Sequence, residues 1–234
     1  GMIGKDGAKM SKSKGNVVSP DELVNDYGCD SLRLYELFVG PPELDSEWDE
    51  RGIDGVYRFI TRFWKLAVDS IEANVEPTKE MIKLRHQMVH TITRRLEDFS
   101  LNTVVSGFME FNNKFIDLAK KEGGIDKETI QTFVTLLAPF APHIGEELWE
   151  KLGNTGSVFE NNKWPEADEE LMKDDEIQVP VQINGKTKVV ISVPADISKD
   201  DAIAQGKEAL GDKLAGNIVK EIYVPGRIIN LVVK

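Results

Sequence analysis

A single cysteine, Cys29, stands in 234 residues, so the chain cannot staple itself with an internal disulfide, a composition suited to a reducing compartment. Long apolar runs are missing too. No stretch approaches the roughly 20 residues that span a bilayer, and no secretory signal is visible. Together these absences point to a cytosolic chain without membrane attachment. Positive charge is also scarce: 29 Lys and Arg face 40 Asp and Glu, a formal net charge of -11, which argues against a uniformly basic, polyanion-coating protein. The deficit is uneven, however: residues 1–50 carry -6, residues 51–175 carry -6, and residues 176–234 carry +1. A chain can grip one folded polyanion locally while its acidic remainder limits unspecific binding. The length leaves room for two modest domains.

The densest chemistry lies near the start. Lys9-Met10-Ser11-Lys12-Ser13, followed by Lys14-Gly15-Asn16, sets ammonium and hydroxyl groups on one short loop suited to polyphosphate. Ser19-Pro20-Asp21-Glu22 then reads as a helix start, with Ser19 as N-cap, Pro20 at the first helical position and Glu22 closing a capping box. That helix should stop near Tyr27-Gly28. A second should begin at Asp30-Ser31 and end at Gly40-Pro41-Pro42.

Residues 48–152 read as a helical bundle. Ile53, Val56, Tyr57, Ile60, Phe63, Trp64, Ala67 and Ile71 fall at three- and four-residue spacing and define one buried face. A second helix is expected from Thr78 to Phe99, a third through Asn102, Val105, Phe108, Phe111 and Phe115, and a fourth after Asp126, interrupted at Pro139 and Pro142. On the second helix Lys79, Lys83, His86, His90 and Arg94 recur every three or four residues, a cationic stripe about 22 Å long. It is either an ordinary solvated face or a track for phosphates. Residues 153–175 show no amphipathic period and read as a linker, in which Trp164 should dock on the bundle.

The period then changes to two. Ile177, Val179, Val181 and Ile183 alternate, Asn184-Gly185 fits a type I′ hairpin turn, and Val189, Ile191 and Val193 return. A helix from Ser198 to about Leu210 and strands at 218–224 and 228–233 complete a ββαββ unit over residues 176–234, with a mostly antiparallel sheet. The predicted fold class is thus an α-helical bundle followed by a small α+β domain.

The run Lys9-Met10-Ser11-Lys12-Ser13 resembles the second signature of class I aminoacyl-tRNA synthetases, and Tyr27 to Leu34 resembles the segment that follows it. Further blocks resemble the bacterial leucyl-tRNA synthetase family: Pro42 to Trp48, Gly52 to Phe59, Phe99 to Thr103, Pro139 to Trp149, Trp164-Pro165 and Val224 to Val232. The sister isoleucyl family carries a four-ligand zinc site that one cysteine cannot build, and no metal site is expected here. His143-Ile144-Gly145 echoes a second class I signature, but Glu146 replaces its last histidine and the triplet follows the lysine loop. It is expected to start a helix rather than act in catalysis.

The resemblance implies a division of labour. Residues 1–47 form the nucleotide loop and stem-contact module, 48–152 the anticodon-binding domain, 153–175 a linker and 176–234 a tRNA-binding domain. In the intact enzyme, ATP with Mg2+ and leucine are substrates bound by a catalytic domain outside this chain. Lys12, assisted by Lys9, would stabilise the departing pyrophosphate, while Met10, Ser11 and Ser13 complete the ATP-binding motif. The implied partner is tRNA(Leu), contacted by backbone interactions at Lys79, Lys83, His86, His90 and Arg94, and at Lys186, Lys188, Lys220 and Arg227. The fragment alone is expected to bind no cofactor, to be a monomer, to lack synthetase activity and to hold residues 1–16 loosely. The alternative is a free-standing tRNA-binding or scaffold protein built from synthetase-derived domains.

Overall fold

A computed structural model describes residues 3–5, 7–160, 162–173 and 176–234, with backbone alone for Ile3 and Glu50. Asn161, Asp174 and Asp175, read above as linker, and Gly1, Met2 and Asp6 of the 1–47 module lie outside the described residues. The chain divides into two compact units, Gly1–Met172 and Lys173–Lys234.

The first unit opens with strands β1 (Ile3–Lys5) and β2 (Ala8–Lys9), followed by helices α1 (Pro20–Tyr27) and α2 (Cys29–Phe38) and strand β3 (Ser46–Glu47). The strands form a sheet ordered β2-β1-β3, in which β1 pairs antiparallel with β2 and parallel with β3. Sequence reading gave no sign of it, because strands of two or three residues carry no period. Helix α1 begins at Ser19 with Pro20 in its first turn, as expected. Ser19 makes no side-chain capping bond, however, so the anticipated capping box is absent.

The bundle consists of α3 (Glu50–Ala73), α4 (Lys79–Glu97), α5 (Leu101–Glu122), α6 (Lys127–Leu137) and α7 (Pro142–Lys151). Three helix starts are capped through side chains: Asp49 accepts from Arg51 N, Thr78 from Met81 N and Asp126 from Thr129 N. Phe133 sits at the centre of the core, its ring centroid 4.2 Å from Phe63, 5.7 Å from Phe108 and 6.1 Å from Phe115. Aromatic groups of this size dominate burial energetics in so small a core. Tyr57, expected inside, is instead 43% exposed and meets Tyr27 edge-on at 5.8 Å. Its place in the core is taken by Phe59 and Leu66, which continue the stripe of Val56 and Phe63 at spacings of three and four. Gly52 is required by a neighbour: a Cβ there would lie 2.4 Å from the Tyr35 ring.

Between α4 and α5 the chain turns through Phe99, which adopts φ 52 and remains 65% exposed. Its amide bonds the Leu96 carbonyl at 3.0 Å, and the Ser100 amide bonds that of Arg95 at 2.9 Å, so the end of α4 is closed by a left-handed residue that is not glycine.

Residues 153–172 belong to the first unit. Trp164 packs on the bundle core and donates its indole N–H to Thr93 Oγ1 at 2.8 Å, the docking expected for it.

The second unit contains β4 (Glu176–Ile183), β5 (Lys186–Pro194), α8 (Lys199–Leu210), β6 (Ile218–Val224) and β7 (Ile228–Val233). Strand order is β5-β4-β7-β6, antiparallel except for the central parallel pair of β4 and β7. Asn184 and Gly185 both take positive φ, 49 and 79, as a type I′ turn demands. Ser198 caps α8 by accepting from Asp201 N at 3.1 Å. Its core of Val179, Val181, Val193, Ala202, Ile203, Ile229 and Leu231 lies between helix and sheet. The helical bundle and the α+β unit therefore follow each other in the predicted order.

Candidate nucleotide loop and nucleic-acid interface

The lysine loop is held by its backbone. Ser11 begins a single 3-10 turn, Lys12–Lys14, which Gly15 ends at φ 66. Asn16 fixes its shape: Oδ1 accepts from Ser11 N at 2.9 Å, and Nδ2 donates to the carbonyls of Lys5 at 3.3 Å and Lys9 at 3.4 Å. Ser11 and Ser13 face each other, their hydroxyl oxygens 3.2 Å apart. Met10 packs against the bundle core, which roots the loop, while Lys9 and Lys12 are exposed. Among the described residues neither ammonium group is spent on an ion pair, so all three donors of each remain available to a phosphate.

Helix α2 ties this loop region to the bundle through opposite charges. Arg33 donates from Nε to the Phe140 carbonyl and from Nη2 to that of Pro139, both at 3.3 Å. One turn earlier, buried Asp30 accepts from His143 N at 3.3 Å and Ile144 N at 2.8 Å, and its Oδ1 lies 2.8 Å from His143 Nδ1. The cation satisfies carbonyls after α6 and the anion satisfies amides opening α7, each at the helix end its charge favours. Within the triplet His143-Ile144-Gly145, Gly145 permits close packing, since a Cβ there would lie 2.9 Å from the Ala138 side chain. In the sequence Asp30 reads only as a helix start, and neither it nor Arg33 announces a contact with the α6–α7 corner. Their partners lie more than 100 residues away, beyond the reach of any spacing rule.

The α4 stripe is altered by what packs beside it. The His86 Nδ1 accepts from Asp168 N at 3.1 Å, Gln87 donates to the Met172 carbonyl at 3.1 Å, and Thr93 receives Trp164. The segment that looked like a linker therefore runs along this face and brings its acidic residues with it. His86 is consequently no free cation: burial, aided by the Arg85 charge, holds its pKa below the ordinary histidine value. His90 and Arg94 remain exposed at the other end. Arg85, one position from the stripe, is buried, with Nη1 2.8 Å from Glu128 and 3.8 Å from Asp126. The former is close in distance but lacks hydrogen-bond geometry.

In the second unit the four basic candidates are exposed but not gathered together. Lys186 and Lys188 lie on edge strand β5, Lys220 lies on the opposite edge strand β6, and Arg227 lies in the turn between β6 and β7. Among the described residues, no helix is long and apolar enough to cross a membrane.

A backbone-shaped lysine-serine loop, two short helices and a helical bundle, joined by the Asp30 and Arg33 bonds, place the chain in the class of tRNA ligase domains. The chain belongs to the family of anticodon-binding domains of tRNA ligases, whose family model matches residues 78–203. A second model, for class I tRNA synthetases of the I, L, M and V group, matches residues 2–49. The chain is 45% identical to the leucine–tRNA ligase of Fervidobacterium nodosum, with 100% of this chain and 30% of that protein covered. It is 42% identical to that of Pseudothermotoga lettingae, covering 99% and 30%. Among solved structures it is similar to the Agrobacterium radiobacter K84 agnB2 LeuRS in a ternary complex with tRNA and LeuAMS. The TM-score is 0.78 at 29% identity, covering 100% of this chain and 32% of that one. The chain thus spans about 30% of the length of the curated relatives it matches. The resemblance to leucyl-tRNA synthetases drawn from its motifs is borne out along the whole chain.

Proposed function

We propose that this chain is the C-terminal, tRNA-binding portion of a leucine–tRNA ligase acting in the cytoplasm as a monomer. The observation that carries this reading is end-to-end similarity to leucine–tRNA ligases together with an intact lysine-serine loop whose ammonium groups are uncommitted. In the intact enzyme the leucine carboxylate attacks the α-phosphate of ATP, giving leucyl-adenylate and pyrophosphate. The leucyl group then passes to the terminal ribose of tRNA(Leu). ATP, leucine and Mg2+ are held by the part of the enzyme outside this chain.

Within this chain, Lys12 approaches the pyrophosphate as negative charge builds on it, and Lys9 assists from the adjoining strand. Ser11 and Ser13 orient the turn or donate to phosphate oxygens. Lysine suits this task, since a flexible point charge follows a moving leaving group without planar alignment. Lys79, Lys83, His90 and Arg94 on α4, with His86 in its neutral form, and Lys186, Lys188, Lys220 and Arg227 contact the tRNA backbone. Such contacts position the tRNA without reading its sequence.

The test is binding of the purified chain to leucine tRNA and to an unrelated tRNA at two salt concentrations. Tighter binding to leucine tRNA, weakened by removal of residues 176–234, is the expected result. Absence of binding to either tRNA overturns the reading.

A further inference from the structure

Helices α3 and α5 leave between them a cavity of about 360 Å3, lined by Gly55, Arg58, Phe59 and Arg62 from one helix and Met109, Asn112 and Asn113 from the other. Its size falls at the lower end of the range for small-molecule sites. Three features of its walls are unexplained by packing.

Arg58 and Arg62 occupy successive turns of one helix face and are exposed. Neither makes an ion pair or side-chain hydrogen bond among the described residues, in a chain with a large excess of acid. Arg62 helps to keep Asp117 ionised, but that carboxylate is already held by Lys120 at 2.8 Å. Asn112 is only 1% exposed, and its Oδ1 is buried without a hydrogen-bond partner. Leucine would pack there without an orphaned oxygen, and buried polar groups are as a rule paired. Finally, Gly55 sits inside a helix where glycine is unfavourable, although a Cβ there would meet nothing within 4 Å. No neighbour requires the glycine. Its effect is to lower the rim of the cavity.

We propose that this groove holds one unstacked nucleotide of the bound tRNA. Arg58 and Arg62 take its phosphate and the Asn112 amide meets a base edge, against the apolar wall of Phe59 and Met109. A planar guanidinium matches phosphate oxygens two at a time, asparagine is a common reader of base edges, and proteins recognise RNA chiefly at bases pulled out of the stack. The inference rests on the tRNA-binding reading and goes beyond it. It adds a bundle contact away from α4, whose face is partly covered by the chain's own segment 164–172.

The experiment is a salt titration of leucine tRNA binding by the whole chain, for wild type, the double variant Arg58→Gln/Arg62→Gln, and Asn112→Leu. The double variant should bind about tenfold more weakly per arginine removed. Its log–log salt slope should be shallower by about 1 per lost phosphate contact. Asn112→Leu should weaken binding with the slope unchanged, because an amide displaces no counterion. Thermal melting shows whether each variant is folded; both arginines are exposed, so the double variant should melt like wild type. Wild-type binding that the double variant retains with the same slope overturns the groove and leaves the tRNA-binding reading intact. A wild-type chain that binds no tRNA overturns both.

Discussion

Asp30 and His143 are separated by 113 residues in sequence, yet Asp30 Oδ1 lies 2.8 Å from the His143 ring nitrogen. The same carboxylate serves the first amides of α7, while Arg33 on the same helix holds the carbonyls that precede it. A single turn of α2 therefore fixes both sides of the α6–α7 corner. This makes the module that follows the lysine loop part of the bundle's framework.

Replacing that carboxylate should be costly. Asp30→Ala leaves two helix-start amides without acceptors in a largely buried corner, a loss of about 2 kcal/mol. Asp30→Asn keeps one acceptor and should lose roughly half as much on the same scale. Urea unfolding of the whole chain checks this through the midpoint, with the slope unchanged. Equal midpoints for Ala and wild type would show that water replaces the carboxylate at no expense.

A gain in stability is expected at Phe99. Its left-handed backbone carries a β-carbon penalty, and a side chain left 65% exposed returns little by burial. Phe99→Gly should raise stability by about 1 kcal/mol, net of the entropy that glycine adds to the unfolded chain. An unchanged or lowered urea midpoint would mean that the ring contributes packing sufficient to offset its strain.

His86 gives a pH dependence whose sign is fixed. Its folded pKa lies below the ordinary value of 6.5, chiefly through burial and then the Arg85 charge, with Asp168 and Glu128 pulling weakly the other way. The unfolded state therefore binds the proton more tightly. The stability contribution is full above the unfolded pKa and is lost as pH falls through the folded one. His86→Gln should flatten the decline in stability on acidification from pH 7.5 to 5.5 relative to wild type, measured by urea unfolding at each pH. Parallel declines for the two proteins would assign the slope to carboxylates instead.

Lys12 is expected to matter only in the intact enzyme. Lys12→Ala in the full-length ligase should slow leucine-dependent ATP–pyrophosphate exchange by about 100-fold or more, the usual cost of one preorganised donor in the transition state. The same change in this chain should leave its melting temperature unmoved, since Lys12 is exposed and the loop is shaped by Asn16. An exchange rate close to wild type would remove Lys12 from the chemistry.

The helices of the bundle were legible from the spacing of their apolar residues, from a start after Asp126 and from breaks at Pro139 and Pro142, whereas the caps at Thr78 and Asp126 emerged only in the structure. The hairpin of β4 and β5 was legible for a similar reason, because Asn184-Gly185 prescribes its turn. What stayed hidden depends on residues meeting from afar. Ile3 pairs with Ser46 across a 43-residue interval, and nothing in either short segment announces the other. Segment 164–172 has no period, so its course along α4 and its effect on His86 could not be read. Arg58 and Arg62 look like an ordinary solvated face until Asn112, with its unpartnered oxygen, is set opposite them. The loop itself was legible as a motif, whereas Asn16, which shapes it, gave no signal beyond following Gly15.

The second unit has a consequence for the order in which it can be made. Strand β7, last in sequence, occupies an interior position of the sheet between β4 and β6 and supplies Ile229 and Leu231 to the core. As the chain emerges during synthesis, β4 and β5 can zip into a hairpin at once, but their apolar face stays unsealed until residues 228–233 arrive. Assembly must await a contact spanning some fifty residues, and such long-range pairings are slow to form. This unit can therefore close only after nearly all of its residues have been synthesised.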